Sequence, residues 1–333
     1  MRTYVIAEAG VNHNGNTDTA LALVDAAASS GADAVKFQTF DADAVAVASS
    51  PKADYQLATT DPSESQREML RGLVLAEGAY PKIIARCAEL RIDFLSTPFD
   101  IPSIERLDRL GVAAFKLASG DITNLFMLRE LARRGKPVYL SSGMSTLGEV
   151  DAALRILRSG GIATTVLHCT SAYPAPVKDV NLRAMQTIRD VLDVAVGYSD
   201  HTLSLAVPVA AVALGAVVIE KHLTLDRRAS GPDHAASLEP GDFAAMVSAI
   251  REVGLALGDG IKQPMPSEKS TREVARRSLV AATPLPVGKI LGTDDFCAKR
   301  PGTGISPMEL DLVVGRLLRR PLAIDEMLDW DDL

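Results

Sequence analysis

The chain has 333 residues, of which 47% are hydrophobic and 23% are charged, as in ordinary globular proteins with a large core. A formal net charge of −7 and a pI near 5.4 argue against nucleic acid or an anionic membrane as a general partner. No apolar stretch approaches the roughly 20 residues that span a bilayer. The N-terminus lacks the cleavage site of a signal peptide, and the three cysteines are far apart, so we expect a cytoplasmic protein with reduced thiols.

Short apolar runs alternate with longer amphipathic ones along most of the chain. Strands are predicted at Tyr4–Ala9, Ala34–Thr39, Asp93–Pro98, Ala113–Ser119, Val138–Ser142, Thr165–Thr170, Val194–Ser199 and Val217–His222. Helices are predicted between them, for example at Thr17–Ser30, Ile101–Leu110, Thr123–Arg134, Leu147–Arg158 and Leu203–Leu214, and after the last strand at Pro240–Leu257. Eight such units predict an α/β fold of the (β/α)₈ TIM-barrel type. A doubly wound sheet is the rival, but VNHNGN after the first strand is not a G-x-G-x-x-G fingerprint.

Three segments depart from the repeating pattern. Residues 41–78 are too long for a βα loop and are expected to pass over the barrel mouth. A barrel domain over residues 1–260 is predicted, then a polar linker over 261–276. Residues 277–333 contain short strand-like pieces broken by Pro and Gly, which predict a small β-rich domain.

All five histidines follow or end strand-like runs, where barrel enzymes carry their catalytic groups. His201 and His222 end the adjacent seventh and eighth strands, so their imidazoles could share one divalent ion; two satisfied core histidines are the alternative. His13 and His234 are weaker candidates in sequences typical of a turn and a loop, and His168 could be structural.

Two lysines lie inside apolar strands, Lys36 in AVKFQTF and Lys116 in AFKLASG. Since a buried ammonium needs an anionic partner, each either pairs with a core glutamate such as Glu8 or Glu220, or serves an anion site or a Schiff base. Hydroxyls end five successive strands: Thr97, Ser119, Ser142, Ser171 and Ser199. One alone would be read as a helix cap. Together with the lysines they indicate a site for a small polyanion.

Ten motifs in chain order resemble the bacterial sialic acid synthase family. They are IAEAGVNHNG, ADAVKFQTF, FLSTPFD, FKLASGD, LSSGM, LHCTSAYPAPVKDVNL, VGYSDHT, EKHLT, GPDHAASLEP and AKRPGTGISP. The last lies in a tail that resembles the antifreeze-like (SAF) domain of that family. The resemblance therefore implies a TIM barrel followed by an SAF domain, and a domain-swapped homodimer in which each SAF domain reaches the partner's barrel.

The resemblance also implies the roles of individual residues. Positions that bind phosphoenolpyruvate correspond to Lys36, Thr97, Lys116, Ser119, Ser142, Ser171 and Ser199. Positions that face the sugar or its reacting end correspond to Glu8, Gln38, Phe99, Asp121, Tyr173, Asp233 and Arg300. His201 and His222 correspond to ligands of a divalent metal, usually Mn²⁺, with Mg²⁺ or Co²⁺ as alternatives. Two positions depart from the family, which commonly has Glu at Asp121 and Asn at Ser171.

The implied activity is condensation of phosphoenolpyruvate with an N-acetylated hexosamine, such as N-acetylmannosamine or a 2,4-diacetamido-trideoxyhexose, with release of phosphate. His201 and His222 would act through the metal, and Glu8 would orient or deprotonate the attacking water. The segment HCTSAYPAP resembles most the synthases of bacterial relatives of sialic acid such as legionaminic acid. The rival functions are another phosphoenolpyruvate-dependent aldol-type keto acid synthase, a Schiff-base aldolase and a non-catalytic sugar-binding protein.

Overall fold

A computed structural model describes residues 2–333. The chain forms two compact units, and the boundary between them in the sequence lies between Gly258 and Asp259. The first unit contains eight parallel strands: β1 Tyr4–Gly10, β2 Ala34–Thr39, β3 Asp93–Pro98, β4 Phe115–Leu117, β5 Val138–Ser141, β6 Thr164–Cys169, β7 Ala195–Asp200 and β8 Val218–His222. Their order is β3-β2-β1-β8-β7-β6-β5-β4, and β3 lies beside β4, so the sheet closes into a barrel. The predicted TIM barrel is confirmed.

Helices surround the barrel and fill the segment after β2. They are α1 Thr17–Ser29, α2 Ala42–Val45, α3 Asp54–Thr59, α4 Gln66–Leu73, α5 Ala79–Leu90, α6 Ile101–Arg109, α7 Leu125–Arg134, α8 Leu147–Ser159, α9 Arg183–Leu192, α10 Ala206–Ala213 and α11 Pro240–Ala256. Several begin at the polar residues that the sequence supplies: Asn16 accepts from the Thr19 amide, and Asp100 accepts from the Ser103 amide. None among residues 2–333 is long and apolar enough to cross a membrane.

Strand alternation divides the barrel residues between two environments. Outward residues such as Val35, Phe37 and Tyr198 join the large core beneath the helices. Inward residues at the lower end form a separate apolar cluster of Ile6, Ala34, Leu95, Ala114, Leu167 and Val218. This apolar plug closes the N-terminal end of the barrel interior, so a ligand can reach the interior from the C-terminal ends of the strands.

The second unit, Asp259–Leu333, contains α12 Lys269–Ala275, the antiparallel strands β9 Ser278–Ala281 and β10 Phe296–Lys299, and α13 Leu310–Val313. Its own core includes Leu279, Leu285, Leu318 and Leu328. The segment predicted as a polar linker is helical over part of its length, because α12 lies within 261–276.

Candidate active site

A cavity of about 490 Å³ lies at the C-terminal end of the barrel. Directly above the apolar plug, each of the eight strands contributes one inward side chain to its wall. In chain order these are Glu8, Lys36, Thr97, Lys116, Ser141, Cys169, Ser199 and Glu220. Two residues further along each strand, the inward side chains thus change from apolar to cations, carboxylates, hydroxyls and one thiol. We call this layer the polar layer.

Both lysines of the polar layer contact carboxylates. Lys36 Nζ lies 2.5 Å from Glu8 Oε2 and 3.6 Å from Glu220 Oε2, and it donates to Thr97 Oγ1 at 2.8 Å. Lys116 Nζ lies 3.3 Å from Glu220 Oε1, which also accepts from Ser199 Oγ at 2.8 Å. The predicted pairing of the lysines with core glutamates is therefore present, but within the cavity wall.

The two carboxylates have different protonation behaviour because of their surroundings. Burial raises the pKa of Glu8 to about 7, although the Lys36 ammonium opposes this shift. Burial also acts on Glu220, but there Lys116 and Lys36 outweigh it and hold the pKa well below its ordinary value. Near neutral pH the polar layer therefore has one fixed carboxylate, Glu220, and one carboxyl that can exchange a proton, Glu8.

His201 and His222 lie side by side above the polar layer, with ring centroids 5.4 Å apart. Nδ1 of His201 lies 2.8 Å from the Thr170 carbonyl, so it donates there and leaves Nε2 with a free lone pair. Nδ1 of His222 is buried, has no hydrogen-bond partner among residues 2–333, and lies 3.9 Å from Asp233 Oδ2.

The two imidazoles fit a divalent cation by the chemistry of their donor set. Burial and the neighbouring His201 hold the pKa of His222 well below its usual value, so its ring is neutral. Burial also disfavours protonated His201, but contacts with Cys169 and Thr170 outweigh this and raise its pKa, so a cation there competes with a proton. Within residues 2–333 no group of three or more His, Cys, Asp or Glu side chains could hold a metal, so further ligands would be water or substrate.

An aromatic and apolar wall closes one side of the cavity. The Tyr173 ring lies 4.2 Å from the His201 ring and 4.9 Å from that of Tyr55, measured between centroids. Tyr55 belongs to α3, and Met69 and Leu73 of α4 line the same cavity. The long segment after β2 thus forms part of the cavity wall, and its residues were not among the predicted site positions.

Most of the predicted site residues line this cavity. They are Glu8, Lys36, Gln38, Thr97, Phe99, Lys116, Ser119, Ser171, Tyr173, Ser199, His201, His222 and Asp233. Asp121 does not; its carboxylate accepts from Asn124 Nδ2 at 3.0 Å in the turn after β4. Arg300 lies in the second unit, where its Nε donates to the Ala275 carbonyl at 3.1 Å.

Ser142 is separated from the other predicted hydroxyls. Its Oγ donates to the Leu167 carbonyl at 3.2 Å, and it lines a neighbouring cavity of about 360 Å³. Ser141 lines the active-site cavity instead, and its buried Oγ has no partner within the described chain. Strand parity could have identified it, since inward Tyr139 lies two residues earlier.

The other three histidines do not line the cavity. His13 Nδ1 accepts from the Gly15 amide at 2.9 Å, and His234 Nδ1 lies 2.7 Å from Thr224 Oγ1. His168 Nε2 lies 2.7 Å from the Val180 carbonyl. These three histidines, which the sequence marked as weaker or structural candidates, lie outside the cavity wall, and their contacts hold loops and strand ends.

With this geometry established, comparison with known proteins places the chain. Residues 23–262 match the NeuB family, and residues 276–333 match the SAF domain. The chain belongs to the NeuB family. It is 45% identical to N,N'-diacetyllegionaminic acid synthase of Campylobacter jejuni, over 98% of this chain and 99% of that protein.

Two further relatives extend the comparison. N-acetylneuraminate-9-phosphate synthase of Homo sapiens is 36% identical, over 94% of this chain and 88% of that protein. The crystal structure of N-acetylneuraminic acid synthetase from Leptospira borgpetersenii, in complex with citrate, superposes with a TM-score of 0.72 at 32% identity. It covers 81% of this chain, and this chain covers 90% of it. The family assignment by motif is confirmed over both units of this NeuB-family chain.

Proposed function

We propose that this NeuB-family protein condenses phosphoenolpyruvate with an N-acetylated hexosamine to form a nonulosonic acid, with release of phosphate. The observation that carries the proposal is the polar layer, which brings two ammonium groups and several hydroxyls together above an apolar plug. Such donors suit a substrate that carries a carboxylate and a phosphate. The named activities of full-length relatives support the same reaction class.

Phosphoenolpyruvate would be held by Lys36 and Lys116 together with the hydroxyls of Thr97, Ser119, Ser171 and Ser199. Ser141 joins this set, because its buried hydroxyl faces the cavity and has no hydrogen-bond partner among residues 2–333. Ser142, which we predicted from the sequence as a direct ligand, would act only indirectly, because its hydroxyl ties the chain just after Ser141 to the Leu167 carbonyl. Fixing the anion at the cavity floor orients C3 of the enol toward the sugar above it.

His201 and His222 would hold a divalent cation, which we propose to be Mn²⁺ with Mg²⁺ or Co²⁺ as alternatives. When bound, such an ion supplies Lewis-acid polarisation of the sugar aldehyde oxygen. The contribution of the chain is to present two imidazole nitrogens from adjacent strand ends and to leave the remaining coordination positions to water and substrate.

The reaction forms one carbon–carbon bond and breaks one carbon–oxygen bond. C3 of phosphoenolpyruvate adds to the aldehyde carbon, whose oxygen gains a proton, and water adds to C2. The C2–O bond to phosphate then breaks, which leaves the keto acid and inorganic phosphate. Glu8, with a pKa of about 7, can take the proton from the attacking water near neutral pH.

The sugar would lie against Gln38, Phe99, Tyr173 and Asp233, with Asp121 contributing through its turn. Arg300 would contact it from the SAF domain of the partner in a domain-swapped homodimer, since a guanidinium suits hydroxyl and N-acetyl oxygens. We further propose a cytoplasmic enzyme, which agrees with three cysteines that are all free in the described chain.

The decisive experiment is phosphate release from phosphoenolpyruvate with Mn²⁺ and a panel of N-acetylated and di-N-acetylated hexoses. Release should depend on the sugar, and in ¹⁸O-labelled water the label should enter the keto acid rather than the phosphate. Label in phosphate, or no release with any sugar, would reject the proposal. Borohydride inactivation with a keto substrate would indicate a Schiff-base aldolase instead.

A further inference from the structure

An ion pair that is closed off from solvent lies directly behind the two histidines. Asp200 ends β7 and Lys221 lies in β8, where the two are register partners. Lys221 Nζ contacts Asp200 Oδ2 at 2.5 Å, and both side chains are 0% exposed. The next residues along the chain are His201 and His222, which point into the cavity while the ion pair points away from it.

The ion pair also fixes the backbone that carries His201. Asp200 Oδ1 accepts from the Thr202 amide at 2.9 Å and from the Tyr198 hydroxyl at 3.1 Å. Lys221 Nζ donates in addition to the Thr202 carbonyl. The chain on both sides of His201 is therefore tied to β8, one residue before His222.

Stability alone gives no reason for charges at these positions. The outward residues that precede them in β7 and β8, namely Val196, Tyr198 and Ile219, carry no charge and belong to the main core. Replacing a buried ion pair by apolar residues of similar volume is often neutral or stabilising. What the pair supplies instead is a fixed register, because an ammonium and a carboxylate tolerate little displacement in a dry environment.

We propose that Asp200 and Lys221 are positioning residues that set the separation and orientation of the His201 and His222 rings for a divalent cation. The inference rests on the proposed metal site. Partners behind metal ligands commonly contribute about 10- to 100-fold to metal affinity. Here the contribution would pass through the backbone, since the charges touch the strand ends rather than the imidazoles.

The test is Mn²⁺ affinity of the full-length, metal-free protein, measured by electron paramagnetic resonance of free Mn²⁺. The double variant Asp200→Leu/Lys221→Met removes both charges and fills their space with apolar side chains of similar volume. We expect it to fold and to bind Mn²⁺ about 10- to 100-fold more weakly. Its affinity for phosphoenolpyruvate without metal should be unchanged. Arg251→Met is the matched control, since it breaks the Arg251–Asp33 pair (2.6 Å) before β2, at the opposite end of the barrel.

The outcomes separate this inference from the proposed function. If wild-type protein binds no Mn²⁺, the proposed metal site fails. The positioning role is overturned if wild-type protein binds Mn²⁺ and the folded double variant binds it equally well, or loses Mn²⁺ and phosphoenolpyruvate affinity together. It is also overturned if Arg251→Met, which should keep wild-type Mn²⁺ affinity, weakens Mn²⁺ binding as much as the double variant does. Should the double variant not fold, Tyr198→Phe and Thr202→Val decide: each removes one hydroxyl from Asp200, and unchanged Mn²⁺ affinity in both rejects the inference.

Discussion

Lys36 Nζ and Glu8 Oε2 lie 2.5 Å apart at the floor of the cavity, and both side chains are almost completely buried. This contact joins the cation proposed for anion binding to the carboxyl proposed for proton transfer. Because the pKa of Glu8 is about 7, the ion-pair partner of Lys36 is a carboxyl group that is only partly ionised at neutral pH. An incoming anion can therefore compete for Lys36 more easily than it could against a fully ionised partner.

The first prediction concerns anion binding by the lysines. Lys36→Ala and Lys116→Ala should each raise the KM for phosphoenolpyruvate, since losing a charge-assisted partner costs about 1.5–3 kcal/mol, or roughly 10- to 150-fold. Initial-rate kinetics and circular dichroism of the folded variants check this. Lys136→Ala, which removes a lysine paired with Asp108 outside the cavity, is the control. Unchanged phosphoenolpyruvate dependence in both variants would mean that the lysines serve only their ion pairs.

The second prediction concerns the pH dependence contributed by Glu8. A base must be ionised, and the ionised fraction rises with pH, so kcat/KM should increase through an apparent pKa of about 7. Glu8→Gln should lose this limb and about 10²- to 10⁴-fold in rate, as expected for a general base. A limb that persists in Glu8→Gln would assign it to another group.

The barrel could be predicted because hydrophobic patterning fixes strands locally. All eight predicted strands are present, with ends that differ by at most two residues. The residues of the site were harder to predict than the strands. Whether a side chain lines the cavity depends on which face of the strand it occupies as well as on its place along the strand. Ser142 was chosen as the end of strand five, yet β5 ends at Ser141 and its inward side is set by Tyr139. Parity counted from inward Tyr139, rather than the end of the strand, selects Ser141 as the serine that lines the cavity.

The segment over residues 41–78 shows a second limit of sequence reasoning. Its length alone predicted an excursion over the barrel mouth, and α3 and α4 do line the cavity. Which of its residues face the cavity depends on contacts distant in sequence, such as that of Tyr55 with Tyr173. Short helices of four to eight residues have too few turns for periodicity to reveal such contacts.

The third prediction concerns stability at Asp233. Burial raises its pKa from 3.8 to about 6, so between these values the folded protein keeps a proton that the unfolded chain has lost. Stability of the metal-free protein should therefore fall as pH rises through this window, by about 3 kcal/mol at most. Asp233→Asn should remove that slope and be more stable than wild type at pH 8, while losing activity. Urea unfolding at several pH values measures it.

Asp226→Asn is the control for that experiment. The Asp226 side chain is half exposed, and hydrogen bonds from Arg228 lower its pKa, so its replacement should bring no gain in stability at high pH. If Asp233→Asn behaves like this control, the Asp233 carboxyl is ionised without cost in the folded protein.

The fourth prediction concerns the metal. EDTA should abolish activity, Mn²⁺ should restore it, and His222→Ala should bind Mn²⁺ too weakly for rescue at ordinary concentrations. His168→Ala is the control, because His168 contacts the Val180 carbonyl outside this cavity. Full activity after verified removal of metal would contradict the role proposed for His201 and His222.

The last prediction concerns Arg300, which lies on the second unit. If it contacts the sugar, Arg300→Ala should raise the sugar KM or lower kcat far more than it changes the KM for phosphoenolpyruvate. A barrel truncated near Lys269 should fold but be nearly inactive. Arg300→Lys keeps the charge without the planar fork and should recover only part of the activity.

The swapped dimer has a sharper test in subunit mixing. Arg300→Ala and His222→Ala subunits are each expected to be inactive alone. In a swapped heterodimer one site carries both lesions and the other carries neither. At random equal mixing half of the dimers are mixed and half of their sites are intact, so activity should return toward about a quarter of wild type. No recovery after verified subunit exchange would place Arg300 in the site of its own chain or outside any site.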